Sequence, residues 1–270
     1  KPRKNGAPQS PKWSREQTLL AFQFYCETPF GQLHGRNSKV VELATLIGRT
    51  PDALAMKCVN IASIDPKIRE SGRAGLRNAS ALDREVWSEF HANWDGLVEE
   101  CETLRSCLLS ARGKAAASKS DDGADIERDY SGETRTALVR QRIGQAFFRR
   151  SVLSSYSNRC CISGVSDKRF LVASHIVPWS DDPSIRLHPG NGLSLSAIHD
   201  KAFDNHLFSL TDDYRVVLSS QLKSTKDQFL RQVFWPVEGT TISLPDKFVP
   251  EVDFVTRHRN RMEGTAAIGA

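Results

Sequence analysis

The sequence predicts an α+β protein in two parts: an all-α, helix-turn-helix-like N-terminal domain over 13–110, and a C-terminal domain over 131–260 that mixes short strands with helices. Three observations lead there. Apolar residues recur at helical steps through the first hundred residues. The stretch 111–130 is made of small and charged residues, has no large apolar side chain except Ile126 until Tyr130, and reads as a linker. Beyond it, LVASHIVPW and NGLSLS are short strand-like runs separated by an irregular loop.

Composition sets the class. At 39% hydrophobic and 26% charged residues the chain is globular in character. No apolar run approaches the roughly 18 residues of a membrane helix. The opening KPRKNGAPQSPK is basic and Pro-containing, expected to be disordered, and has no hydrophobic segment of the signal-peptide kind. The six cysteines show neither framework spacing nor a C-x-x-C pair, which speaks against a disulfide scaffold or zinc ribbon. The expectation is a cytoplasmic protein with no membrane partner.

In the N-terminal domain, Ser14 with Gln17 three residues on forms a capping-box pattern that opens the first helix. A second helix starts near Ser38 and should end at Gly48; Thr50 then caps a third, with Pro51 at its first position. Two helices joined by a Gly-Arg-Thr turn make a helix-turn-helix candidate with 51–62 as recognition helix. Asn60 on that helix, with Arg49 and Lys57 as phosphate contacts, are the candidate DNA-binding residues, although Asp52 is a poor neighbour for phosphate. From Ser80 a longer helix is expected, with Trp87, Phe90, Trp94, Leu97, Cys101, Leu104 and Leu108 along one seam.

Net charge is +5 and unevenly placed. From Thr134 to Arg159 there are six arginines and no acid, five of them on what reads as a helix, TRTALVRQRIGQAFFRRSVLSSY. Arg142, Arg149 and Arg150 are therefore candidate contacts to a polyanion, since guanidinium forks match phosphate oxygens; charge alone fits a solvated helix face equally well. A hairpin-like passage turning at 164–168 follows. His175 then ends one strand, Asn191 opens the next, and SAIHDKAFDNH reads as a helix carrying His199. LFSLTDDYRVVLS reads as a hairpin around Thr211–Tyr214.

The order strand histidine, asparagine, helix histidine resembles the HNH nucleases with their ββα-metal site. The runs RIGQAFFRRSVLSSYSNRCCISG, LVASHIVPW and HPGNGLSLSAIHDKAFD extend the resemblance over 140–215 and look like the branch found in bacterial restriction and phage-defence enzymes. The resemblance implies that His175 is the general base, that Asn191 holds the loop and fixes the imidazole, and that His199 coordinates a divalent metal. Many relatives carry a further ligand just before the base, where this chain has Ser174, and a second helix histidine where it has Phe203. The remaining ligand candidates are Asp200, Asp204 and His206, with Asp204 first because it belongs to the HDKAFD run. With few nitrogen ligands, Mg²⁺ or Mn²⁺ is favoured, Zn²⁺ or Ni²⁺ being the alternatives. Cys160 and Cys161 read as buried small hydrophobes.

The N-terminal segment WSREQ…VVELATLIGRTPDALAMKCVNIAS is similar to helical modules found ahead of such nuclease domains. The resulting expectation is a restriction or defence endonuclease acting on double-stranded DNA, modified or not, with site choice by the N-terminal domain. A homodimer is expected because one such site cuts one strand. The competing reading is a DNA-binding protein whose nuclease domain is inactive or structural.

Overall fold

The computed structural model describes residues 12–70, 78–113 and 132–268; the N-terminal tail up to residue 11 and most of the expected linker lie outside them. Helix α1 (Arg15–Glu27) has the expected capping box, Ser14 with Gln17. Every residue from Thr18 to Cys26 is buried, the polar Thr18 and Gln23 included, so α1 is a central helix rather than a surface one. Around it lie α2 (Ser38–Leu46), α3 (Pro51–Ala62) and a short α4 (Pro66–Glu70). Gly48 takes φ +70°, the left-handed cap conformation, and Thr50 caps α3 with Pro51 at its first position.

The long helix expected from Ser80 is two helices, α5 (Ala81–Ala92) and α6 (Trp94–Ala111). Asn93 breaks the path at φ −154° and its side chain caps α6 by accepting from Gly96 N–H at 3.0 Å. Gly96 permits that close approach, since a Cβ there would collide with the Asn93 amide. An Asn-Trp-Asp-Gly start outweighs the continuous apolar seam.

Helix α7 (Gly132–Ser155) crosses the antiparallel pair β1 (Leu171–His175) and β2 (Gly192–Ser196), in which His175 faces Gly192 across the register. The passage before β1 is a set of turns rather than a strand: Gly164 takes φ +73° and Cys161 N–H makes a single 2.8 Å bond to Ser194 O. Helix α8 (Ala197–Asp204) follows β2 directly and completes a ββα unit. The expected hairpin is present as β3 (Phe208–Leu210) and β4 (Val216–Leu218). Two short helices, α9 (Ser220–Lys223) and α10 (Gln228–Phe234), precede α11 (Val252–Ile268), which packs on β3.

The two halves share buried contacts. Phe147 of α7 packs on Trp94 with ring centroids 6.0 Å apart, and Ser154 Oγ–H donates to Cys26 O at 2.6 Å. Lys247, fully buried, reaches the end of α1 and donates to Tyr25 O and, at 2.7 Å, to Thr28 O. Those are carbonyls that the helix C-terminus leaves without an intrahelical partner. No helix among the described residues is long and apolar enough to cross a membrane.

Candidate active site

β1 delivers His175 at its last position, and the backbone turns away at Pro178. The imidazole lies flat on Phe148 of α7, centroids 3.8 Å apart and planes within 7°, and stands perpendicular to the Trp179 ring with centroids 5.5 Å apart. Phe148 reaches it because residue 192, directly across the strand pair, is glycine. A Cβ at that position would collide with Val152 and stand 2.9 Å from Phe148 Cζ. His175 Nε2 lies 3.0 Å from the carbonyl oxygen of Arg186. A carbonyl only accepts, so Nε2 carries the proton and Nδ1 of the neutral ring keeps its lone pair. Burial lowers the pKa of His175 below the ordinary histidine value, and the Arg186 carbonyl partly offsets this.

Asn191 is fully buried and fastens the loop. Its Oδ1 accepts from Val177 N–H at 2.8 Å, its Nδ2–H donates to Val177 O at 3.0 Å, and its backbone carbonyl accepts from Ile176 N–H at 2.9 Å. The imidazole is fixed by Arg186 O and Phe148 instead, so Asn191 shapes the loop without bonding the ring.

His199 faces the interior of the ββα unit. Its Nδ1 shares a 2.6 Å hydrogen bond with Ser196 Oγ and stands 3.8 Å from Cys160 Sγ, and its ring meets Phe208 and Phe234 edge-on. Nε2 is buried without a partner. Burial raises the Cys160 thiol, but hydrogen bonds to His199 and Ser163 outweigh it and bring the pKa down to about 6. Cys160 is thus part of a polar buried cluster rather than a plain small hydrophobe.

Asp200, the next residue on α8, contacts a different neighbour. Burial raises its carboxyl pKa, the Ser174 hydroxyl opposes the shift, and the charge of Asp204 adds to it. Ser174 Oγ is buried and makes no well-formed hydrogen bond. Asp200 and Asp204 are four residues apart and share a helix face, with Asp204 exposed and its own pKa raised by burial. His206, at φ +54°, has Nδ1 3.2 Å from His258 Nε2 and is close enough to Asp204 for their charges to interact.

Residues 160–211 match the family model HNH_2, HNH endonuclease. The HNH segment therefore covers the turns at Cys160, both strands of the ββα unit, α8 and β3, and the match points to nuclease activity with DNA as substrate and a divalent metal as the usual cofactor. No curated protein is similar enough to the chain to count as a match. Among the described residues no three His, Cys, Asp or Glu side chains gather as a metal-holding group. Asp200, the Ser174 hydroxyl next to it and Asp204 one turn further along α8 are all oxygen donors. Oxygen donors of this kind, with the Asp204 charge acting on Asp200 and an unsatisfied hydroxyl beside Asp200, suit a hard cation that keeps part of its water shell.

The DNA-binding residues expected outside the HNH segment are placed differently from one another. Lys57 is buried, 5% exposed, and its Nζ pairs with the equally buried Asp83 at 2.6 Å beneath the ring of Trp13. This corrects the expectation of an exposed lysine: α3 turns that side chain toward α5. Arg49 stacks over Trp13 and donates to Gln17 Oε1. Asn60 is half-buried, leaving Asp52 and Met56 as the exposed residues of α3's middle and start. On α7, Arg142 is exposed, Arg150 pairs with Glu27 at 3.0 Å, and Arg149 donates to Leu171 O at 2.9 Å, bracing the start of β1.

Proposed function

We propose that the chain is a divalent-metal-dependent DNA endonuclease that hydrolyses phosphodiester bonds at the β1–β2–α8 unit. The observation that carries this reading is the state of His175. Its proton is tied to a backbone carbonyl, its free Nδ1 is held by stacking on Phe148, and its lowered pKa keeps it neutral at pH 7. A neutral imidazole with one oriented lone pair is equipped to take a proton from water as it attacks phosphorus. The attack displaces the 3′ oxygen in line, leaving a 5′ phosphate.

Asp200 and Asp204, with Ser174 beside them, are the residues that would hold the metal. When bound, the cation supplies a Lewis acid for the phosphoryl oxygens and charge to offset the departing oxygen. His199 serves this site indirectly on our reading: its bonds to Ser196 and Cys160 tie the start of α8 to the turns before β1. Asn191 sets the path of the loop.

The finer biological role we propose is restriction or phage defence, with the helical N-terminal part choosing the site and two copies of the chain making a double-strand cut. Because Lys57, Arg49 and Arg150 are engaged by neighbouring side chains, the phosphate contact falls to Arg142, exposed on α7.

The test is duplex cleavage with Mg²⁺ or Mn²⁺, with and without chelator, by the parent and by Asp200→Asn, on DNA from modifying and non-modifying hosts. Cleavage should vanish with chelator and fall by roughly 10- to 100-fold in the variant at limiting metal. Equal rates with and without metal would overturn the assignment. Dependence on the host would show that a modified base is read.

A further inference from the structure

The carbonyl that orients His175 belongs to a residue whose side chain is held from the other half of the molecule. Arg186 sits in the loop between β1 and β2. Its Nε donates to both carboxylate oxygens of Asp95, at 3.0 and 3.2 Å, and Nη2 lies 3.0 Å from Oδ1. Asp95 is in the first turn of α6, in the N-terminal helical part. The guanidinium also stacks over Trp179, 5.1 Å from its centroid, and Trp179 meets His175 edge-on. A short chain of contacts thus runs from α6 to the imidazole: the Asp95 carboxylate, the Arg186 side chain, the Arg186 carbonyl, His175 Nε2.

The rest of the loop is fastened elsewhere. Asn191 clamps Val177 at one end, and α11 holds Asp181 and Asp182 through Arg261 and Arg257. Between Asp182 and the buried Leu187, Asp95 provides the ionic anchor to the helical part.

We propose that Asp95 is a positioning residue for the nuclease reaction: by fixing Arg186 it sets the backbone carbonyl that orients the base. The helical part then contributes to the cut itself, and not only to the choice of where to cut. This rests on the reading of His175 as the base. Both partners are about one-third exposed, so the anchor is a modest one whose loss slows the reaction without abolishing it.

The experiment is steady-state cleavage by the full chain as parent, Asp95→Ala, Asp95→Glu, Arg186→Ala and the Asp95→Ala/Arg186→Ala double variant, with His175→Ala as reference and thermal melts to confirm folding. Asp95→Ala should lower kcat roughly fivefold and leave KM within about twofold, because the contact acts on the base and not on DNA binding. Arg186→Ala should match it, the double variant should be no slower than either single one, and Asp95→Glu should recover most of the rate. Additive losses, or a change confined to KM, would overturn the proposal. So would unchanged kcat in Asp95→Ala while His175→Ala is inert, a result that leaves the nuclease reading standing. Full activity in His175→Ala would remove that reading and the proposal together. If Asp95→Ala melts early, Asp95→Asn, which keeps the shape, takes its place under the same criteria.

Discussion

Nε2 of His175 stands 3.0 Å from the Arg186 carbonyl oxygen, and the two residues are eleven apart in sequence. This contact decides which ring nitrogen is free, and burial against Phe148 and Trp179 decides when it is free.

The pH profile follows from the direction of that shift. A base works only unprotonated, and a lowered pKa means that it stays unprotonated to lower pH. The acid limb of kcat/KM should therefore lie below the ordinary histidine value of about 6.5. A profile recorded with a metal whose binding is saturated at each pH checks this. A limb at or above about 7 would show that another group, or a differently placed histidine, limits the rate.

Lys57 offers a contrast between structure and binding. Removing one partner of a buried ion pair leaves the other uncompensated, so Lys57→Ala should cost roughly 3–5 kcal/mol of stability in a urea melt. Its Nζ faces Asp83, so whatever folded protein remains should bind DNA as the parent does. Arg142→Ala should do the reverse, leaving the melt unchanged and flattening the salt dependence of binding by about one counterion. Weakened DNA affinity in folded Lys57→Ala would restore α3 as the reading helix.

Much of this was legible in the chain because it is written in local chemistry. Ser14 with Gln17, Gly48, Thr50 with Pro51, and the Asp-rich turn before Tyr214 all act within a few residues, and each sits where the spacing puts it. The strand ending on His175 and the helix carrying His199 were readable for the same reason, while the second strand starts at Gly192, one residue after the expected Asn191, which closes the turn before it. What failed depends on direction. Adjacent positions on a helix point about 100° apart, so no pattern of letters says that His199 turns to Cys160 while Asp200 turns to Ser174. The burial of Lys57 hinges on Asp83, 26 residues away, and the break at Asn93 on a cap that the apolar seam conceals. The Arg186 carbonyl has no sequence signature at all.

Two further histidines govern acid stability. Burial and the nearby His91 push His188 down to about 3, and its Nδ1 accepts from Gly190 N–H, which requires the unprotonated ring. Burial, with His206 adding, pushes His258 down to about 3 as well. The unfolded chain takes up both protons below about 6.5, whereas the folded chain refuses them until near 3. Stability should thus be full above about 6.5 and fall as the pH drops toward 3, by up to roughly 1.4 kcal/mol per pH unit for each histidine. Urea melts between these limits should show that slope, and His188→Asn should flatten it. An equal slope in the variant would assign the acid lability elsewhere.

The most direct test of the account is nicking and linearisation of supercoiled plasmid with Mg²⁺ or Mn²⁺, parent against His175→Ala, with DNA binding followed in parallel. The parent should cut and the variant should bind without cutting. Cutting by His175→Ala at the parent rate, or binding without cutting by the parent itself, would contradict it.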